Sequence, residues 1–175
     1  QIILGLSMIV PILAQFFYNQ VDAGFISSSL VTILFGVLFV LSNLDHEKKL
    51  NLPQAFLLTA LSWLSIAIFG SLPFIFSEVE LSITDAFFES MSGITTTGST
   101  IITNLNETPK AILLWRGMLQ WLGGIGIIVM AITLMPIMNI GGMQLFIIST
   151  SNTPEKILPK SKEISIRLII VYFSL

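Results

Sequence analysis

Four stretches of this chain contain no Asp, Glu, Lys or Arg: residues 1–21, 23–44, 50–77 and 117–154. About 20 consecutive apolar residues carry an α-helix across the hydrocarbon core of a bilayer. A soluble domain has about 25% charged residues with which to cover its surface; here the fraction is 10%, with a mean hydropathy of +0.90. The sequence therefore predicts an all-α integral membrane protein surrounded by lipid. Having no cysteine, it excludes disulfides, thiolate nucleophiles and thiolate metal sites. One histidine, His46, excludes paired-His chemistry, and a net charge of −2 gives no footprint for nucleic acid.

The first three uncharged stretches each fit one spanning helix. The fourth must be divided, because Pro136 and Gly141-Gly142 interrupt helical continuity. Thr108-Pro109 suits an N-cap followed by a first-turn proline. Helices are expected near 2–18, 24–44, 53–76 and 109–137, with a fifth opening near 162. Pro11 and Pro73 lie within spans and are candidate kinks. The first stretch has neither a basic flank nor a small-residue cleavage site, so it does not read as a signal peptide. The run after Arg167 holds eight uncharged residues, too few to span, and the chain is expected to continue beyond both ends. The expected organisation is a two-helix region over 1–50, a helix–loop–helix unit over 51–140, a loop over 141–161 and the start of another unit over 162–175.

Basic residues set the expected topology. Lys48 and Lys49 fall in one loop, and Lys156, Lys160, Lys162 and Arg167 in another on the same side, against Lys110 and Arg116 opposite. The positive-inside rule puts the six in the cytoplasm. The outer side then gathers Asp22, Glu78, Glu80, Asp85, Glu89 and Glu107, which either enrich cations there or are ordinary solvated loop charges.

Between the third and fourth helices a segment begins that is too short to cross. Ser82 or Thr84 suits an N-cap, Asp85 the positive end of the dipole and Gly93 the exit, with Phe87, Phe88 and Met91 forming an apolar face. About ten residues rise only some 15 Å, half the hydrocarbon thickness. The run Thr95-Thr-Thr-Gly-Ser-Thr100 follows. By composition it is either an outer loop rich in Ser and Thr or a pore lining. Irregular backbone at membrane depth must be buried in protein or face a water-filled path. Extended backbone can aim carbonyl oxygens at an axis where they replace a cation's hydration shell. Gly98 would permit a turn closed to other residues, and the short helix would turn its negative end toward the cation. A spanning helix, a half-length helix, a Thr-Gly turn and a second spanning helix together favour the pore.

Other motifs carry less. Gly123-Gly-Ile-Gly126 lacks the third glycine and the preceding strand of a dinucleotide site, and suits close helix packing. Trp63, Trp115, Trp121 and Tyr172 suit packing or the membrane interface, and His46 a solvated loop. Asn106-Glu-Thr108 fits a glycosylation sequon, a tripeptide common by chance. Arg116, two turns into its helix, either snorkels to the outer interface or pairs with Glu89 and braces the loop.

The stretch Thr84-Asp-Ala-Phe-Phe-Glu-Ser-Met-Ser-Gly-Ile-Thr-Thr-Thr-Gly-Ser-Thr100 resembles the first pore loop of the Trk/Ktr/HKT cation transporters. Leu114-Trp-Arg-Gly-Met-Leu-Gln-Trp-Leu-Gly-Gly-Ile-Gly-Ile-Ile-Val129 is similar to the helix after that loop, and Gly141-Gly-Met-Gln-Leu-Phe146 to the segment beyond it. Two extra helices ahead of the unit favour the bacterial Trk potassium-uptake branch. The resemblance implies four helix–pore loop–helix repeats in one polypeptide around a pseudo-fourfold axis, with this chain holding the first filter segment. It places Gly98 at the filter glycine and Thr96 and Thr97 just before it, with Ser99 adjoining. Glycine there implies potassium competence, with potassium as transported substrate and no cofactor in this chain. It further implies residence in the bacterial inner membrane and a cytosolic nucleotide-binding regulatory subunit; a homodimer is a candidate assembly. The alternatives are a homotetrameric channel, a membrane scaffold, and a membrane-embedded enzyme using the acids Asp85 and Glu89.

Overall fold

The computed structural model describes residues 1–19, 22–42, 52–79, 81–134, 167, 170–172 and 174. Its elements are all helical: α1 (Ile2–Ser7), α2 (Ile9–Phe17), α3 (Ala23–Leu41), α4 (Leu52–Phe76), α5 (Ile83–Ile94) and α6 (Lys110–Leu134). Residues Gln1–Gly123 form one compact unit and Gly124–Leu175 another. Among the described residues, three helical stretches are long and apolar enough to cross a membrane: Ala23–Leu41, Pro53–Phe76 and Lys110–Met130. The helix expected over 2–18 is divided in two at Met8. Pro11 accounts for this, since it has no N–H for the Ser7 carbonyl and its ring needs the space that carbonyl would occupy. By contrast Pro73 is accommodated inside an unbroken α4.

Several expectations fall on residues outside those described. These are the breaks at Pro136 and Gly141-Gly142, the loop 141–161, Glu80, His46 and the lysines at 48, 49, 156, 160 and 162. The helix expected from 162 is described only at 167, 170–172 and 174, each helical.

In the first unit α3 packs against both α1 and α4. Small residues let the backbones approach: a Cβ on Gly36 would lie 2.8 Å from the Ile2 backbone nitrogen. Hydroxyls bridge the same contacts, Ser29 Oγ donating to the Gly5 carbonyl at 2.8 Å and the Gln1 amide to Ser65 Oγ at 2.6 Å. Where helices face lipid, such internal partners replace the water that would otherwise solvate polar groups. Phe35 of α3 meets Phe69 of α4 with ring centroids 5.4 Å apart.

Between α4 and α6 sits α5, twelve residues long and thus only about 18 Å, too short to span. Ser82 caps it, its hydroxyl accepting from Asp85 N–H at 3.2 Å. The residues it buries fully are not its apolar face of Phe87, Phe88 and Met91; they are Ala86, Glu89, Ser90, Ser92, Gly93 and Ile94. Close packing explains the choice. A Cβ on Gly70 of α4 would come within 2.6 Å of Ser90 Oγ, and one on Gly93 within 2.9 Å of Leu119 Cβ on α6. A Cβ on Gly123 would overlap the Ile94 carbonyl. Phenylalanines cannot fit between backbones this near, so they point elsewhere. Trp115 of α6 is fully buried, donates Nε1–H to the Gly70 carbonyl at 2.9 Å, and meets Phe25 edge-on at 6.3 Å. One buried cluster thus runs from Leu4 and Met8 through Phe25 and Phe74 to Ala86, Ile112, Trp115 and Leu119.

Candidate functional site

The loop 95–102 is held to the last turn of α5 and to Glu89. A helix ends with carbonyls that lack intrahelical partners. Here the following residues supply them: Thr96 N–H donates to the Gly93 carbonyl at 2.9 Å and Thr97 N–H to the Ser92 carbonyl at 3.0 Å. With Thr95 as C-cap, these two bonds are those of a Schellman motif, whose next residue adopts the left-handed conformation. That residue is Thr96, at φ +59. The expected exit residue, Gly93, stays inside the helix, because its missing side chain is needed against Leu119 rather than for the turn.

A β-branched residue in this conformation is strained. Thr96→Gly is expected to stabilise the protein by about 1 kcal/mol, the left-handed penalty of a side chain less the added freedom of glycine in the unfolded chain. A thermal melt of the purified full-length protein checks it, and an unchanged or lower midpoint would contradict it.

Gly98 follows, also left-handed at φ +76, and its N–H reaches the same Ser92 carbonyl at 3.3 Å. A Cβ there would find only Gln120 Nε2, at 3.4 Å. Conformation rather than crowding therefore calls for glycine at this position. With the N–H groups of Thr96, Thr97 and Gly98 turned onto the helix end, the carbonyl oxygens of these three residues accept no hydrogen bond among the described residues. The Ser99 carbonyl differs, since it accepts from Ser92 Oγ at 2.7 Å.

Glu89 anchors the far side of the loop. Its side chain is fully buried, and it is no solvated outer charge. Oε1 accepts from the Thr100 hydroxyl and from Ile101 N–H at 2.7 Å, while Oε2 accepts from Arg116 Nε at 2.9 Å. Thr100 Oγ1 in turn accepts from Ile102 N–H at 3.1 Å. Of the two readings open for Arg116, the structure shows the ion pair. Sequence reasoning missed Ser92 and Thr100, whose signal was faint: two hydroxyls within a stretch already rich in Ser and Thr.

Among the described residues no group of three or more His, Cys, Asp and Glu side chains gathers as a metal cage would require. What the loop offers instead is three backbone carbonyl oxygens, of Thr96, Thr97 and Gly98, that accept no hydrogen bond among the described residues, on a backbone whose N–H groups are tied to α5.

The family profile described as "TrkH: Cation transport protein" matches residues 22–175. Among curated proteins, the Trk system potassium uptake protein TrkI of Halomonas elongata is 38% identical over 172 residues, 98% of this chain and 35% of that one. The Trk system potassium uptake protein TrkH of Escherichia coli is 44% identical over 142 residues, 80% of this chain and 29% of that one. The crystal structure of the potassium transporter TrkH from Vibrio parahaemolyticus superposes with a TM-score of 0.82 at 36% identity, covering 99% of this chain and 35% of that one. The chain thus spans about a third of the length of these relatives.

Proposed function

Because the chain belongs to the TrkH cation-transport family, a family of membrane transporters and not of enzymes, we propose that it serves potassium uptake and contributes one of four selectivity-filter segments to a pseudo-tetrameric pore. The observation that carries this reading is the backbone of the loop. Thr96, Thr97 and Gly98 commit their N–H groups to the end of α5 and leave their carbonyls free to replace a cation's hydration shell. Ser99 adjoins this set with its carbonyl tied to Ser92, so its part is to fix the end of the row. Glu89 and Arg116 brace the row from behind. The organisation that goes with this is the two-helix region 1–50, a first repeat over 51–140, a cytoplasmic loop over 141–161 and a second repeat opening at 162.

Curated relatives of which this chain spans 35% and 29% leave room for further repeats in one polypeptide, which favours a single-chain pore over a homotetramer. Both are named as Trk system potassium uptake proteins, which supports potassium as substrate; the bacterial inner membrane as location and a cytosolic nucleotide-binding subunit as partner are proposed with it on the family resemblance. A homodimer of the full-length protein is the assembly proposed with them.

The test is potassium and sodium flux into liposomes holding full-length protein, wild type beside Gly98→Ser. Serine at a left-handed position must strain the loop or shift its carbonyls, and a tenfold loss of potassium preference corresponds to only about 1.4 kcal/mol. Selectivity is expected to fall by about that factor. Selective flux unchanged by the substitution would place the filter elsewhere.

A further inference from the structure

A polar cavity lies apart from the loop. It measures about 290 Å³ and is lined by Gln15 of α2, Asn19 in the turn after it, Asp22 at the N-cap of α3, Ser77 and Glu78 just past α4, and Ile112 near the start of α6. The two carboxylates bring a formal charge of −2, and no Lys or Arg is among the lining residues. Two polar lining side chains, Gln15 and Ser77, are only 4% and 5% exposed. The Ser77 hydroxyl has no hydrogen-bond partner, a state that costs about 1–3 kcal/mol unless something in the cavity supplies one.

We propose that this cavity binds a partly hydrated divalent cation of the calcium class, held by the Asp22 and Glu78 carboxylates with the neutral oxygens of Gln15, Asn19 and Ser77. Each donor is an oxygen, the ligand type such ions take in sets of about six to eight, with water completing the shell. At roughly 30 Å³ per water the cavity has room for an ion and several waters. The α4 carboxyl end adds partial negative charge beside Ser77. The amino end of α3 opposes it, but Asp22 Oδ1 already accepts from Gly24 N–H there at 2.9 Å, which offsets that end and leaves Oδ2 for the ion. Backbones meet closely at this junction, a Cβ on Gly24 coming within 2.6 Å of the Phe76 carbonyl. A bound ion would tie α2 and the start of α3 to the end of α4. None of Thr96, Thr97, Gly98 or Ser99 lines the cavity, so the proposal stands independently of the potassium reading.

The experiment is equilibrium binding of calcium to full-length protein in nanodiscs of zwitterionic lipid, in a potassium buffer. Saturable binding is expected with a Kd of roughly 0.1–1 mM, the range of low-affinity extracellular sites. Glu78→Gln and Asp22→Asn should each weaken it tenfold or more. Glu78 is exposed and Asn is an equally good N-cap, so both variants should fold. Glu107→Gln, an acid that does not line the cavity, should leave binding unchanged. No saturable binding at about ten times that concentration, or equal affinity in wild type and both variants, would show a cavity filled by water alone. Complete displacement of calcium by ordinary potassium would overturn the divalent assignment. Potassium flux of the same samples, measured separately, reports on the filter reading and not on this one.

Discussion

Glu89→Ala will destabilise the full-length protein by about 3–5 kcal/mol and abolish selective potassium flux. Removing one partner of a buried ion pair costs this much because the other charge is left without a counterpart. Arg116 has only 15% of its side chain exposed, so solvent cannot fully compensate it. The same change also strips Ile101 N–H and the Thr100 hydroxyl of their acceptor, freeing the end of the loop from α5. Glu89→Gln should fall between, since one amide oxygen can still accept from the loop while the amide nitrogen faces Arg116 as a second donor. Thermal melts and liposome flux measure both consequences. A double-mutant cycle with Arg116→Ala should return a coupling of about 1–3 kcal/mol. A coupling near zero would reduce the pair to a bystander.

Gly123→Ala is the second large effect expected, at roughly 1–3 kcal/mol, with Gly123→Val worse. The added Cβ has no space, because it would overlap the Ile94 carbonyl, a backbone atom that cannot rotate away. To admit it, α6 must withdraw from the end of α5, and Leu119 must leave Gly93 with it. Gly117→Ala on the same helix is the control. A Cβ at that position meets nothing within 4 Å, and alanine is the better helix former, so its stability should hold or rise slightly. Equal melting points for the two variants would refute close packing at Gly123 as a determinant.

The sequence made some of this legible because the signals were local. Uncharged runs marked α3, α4 and α6, since charge is what lipid excludes. Ser82 and Asp85 marked the start of α5, and Gly98 the left-handed turn. The Glu89–Arg116 pair was open to a guess because both charges lie in otherwise apolar or uncharged surroundings. What stayed hidden depended on neighbours remote in the chain. Gly93 reads as a helix exit until Leu119 is placed against it, and only then does Thr96 become the turning residue. Phe87 and Phe88 read as an apolar face, but the narrow gaps beside Gly70 and Gly123, which decide what α5 buries, are not visible in the sequence. Ser77 was one polar residue at the end of an apolar run, with nothing nearby in sequence to pair it with Gln15 or Asp22.

The hydrogen bonds that close the end of α5 have a consequence for permeation. Rotating the peptide plane that carries the Thr96 or Thr97 carbonyl, so that an N–H rather than a carbonyl faced a passing ion, would break the bond from Thr97 or Gly98 N–H to the Ser92 carbonyl. Each such bond is worth about 0.5–1.5 kcal/mol net. In a pore of the kind proposed, inactivation by peptide flipping is therefore opposed by the helix itself. In such a pore the strip of backbone that greets the ion would be a fixed fitting and not a hinge.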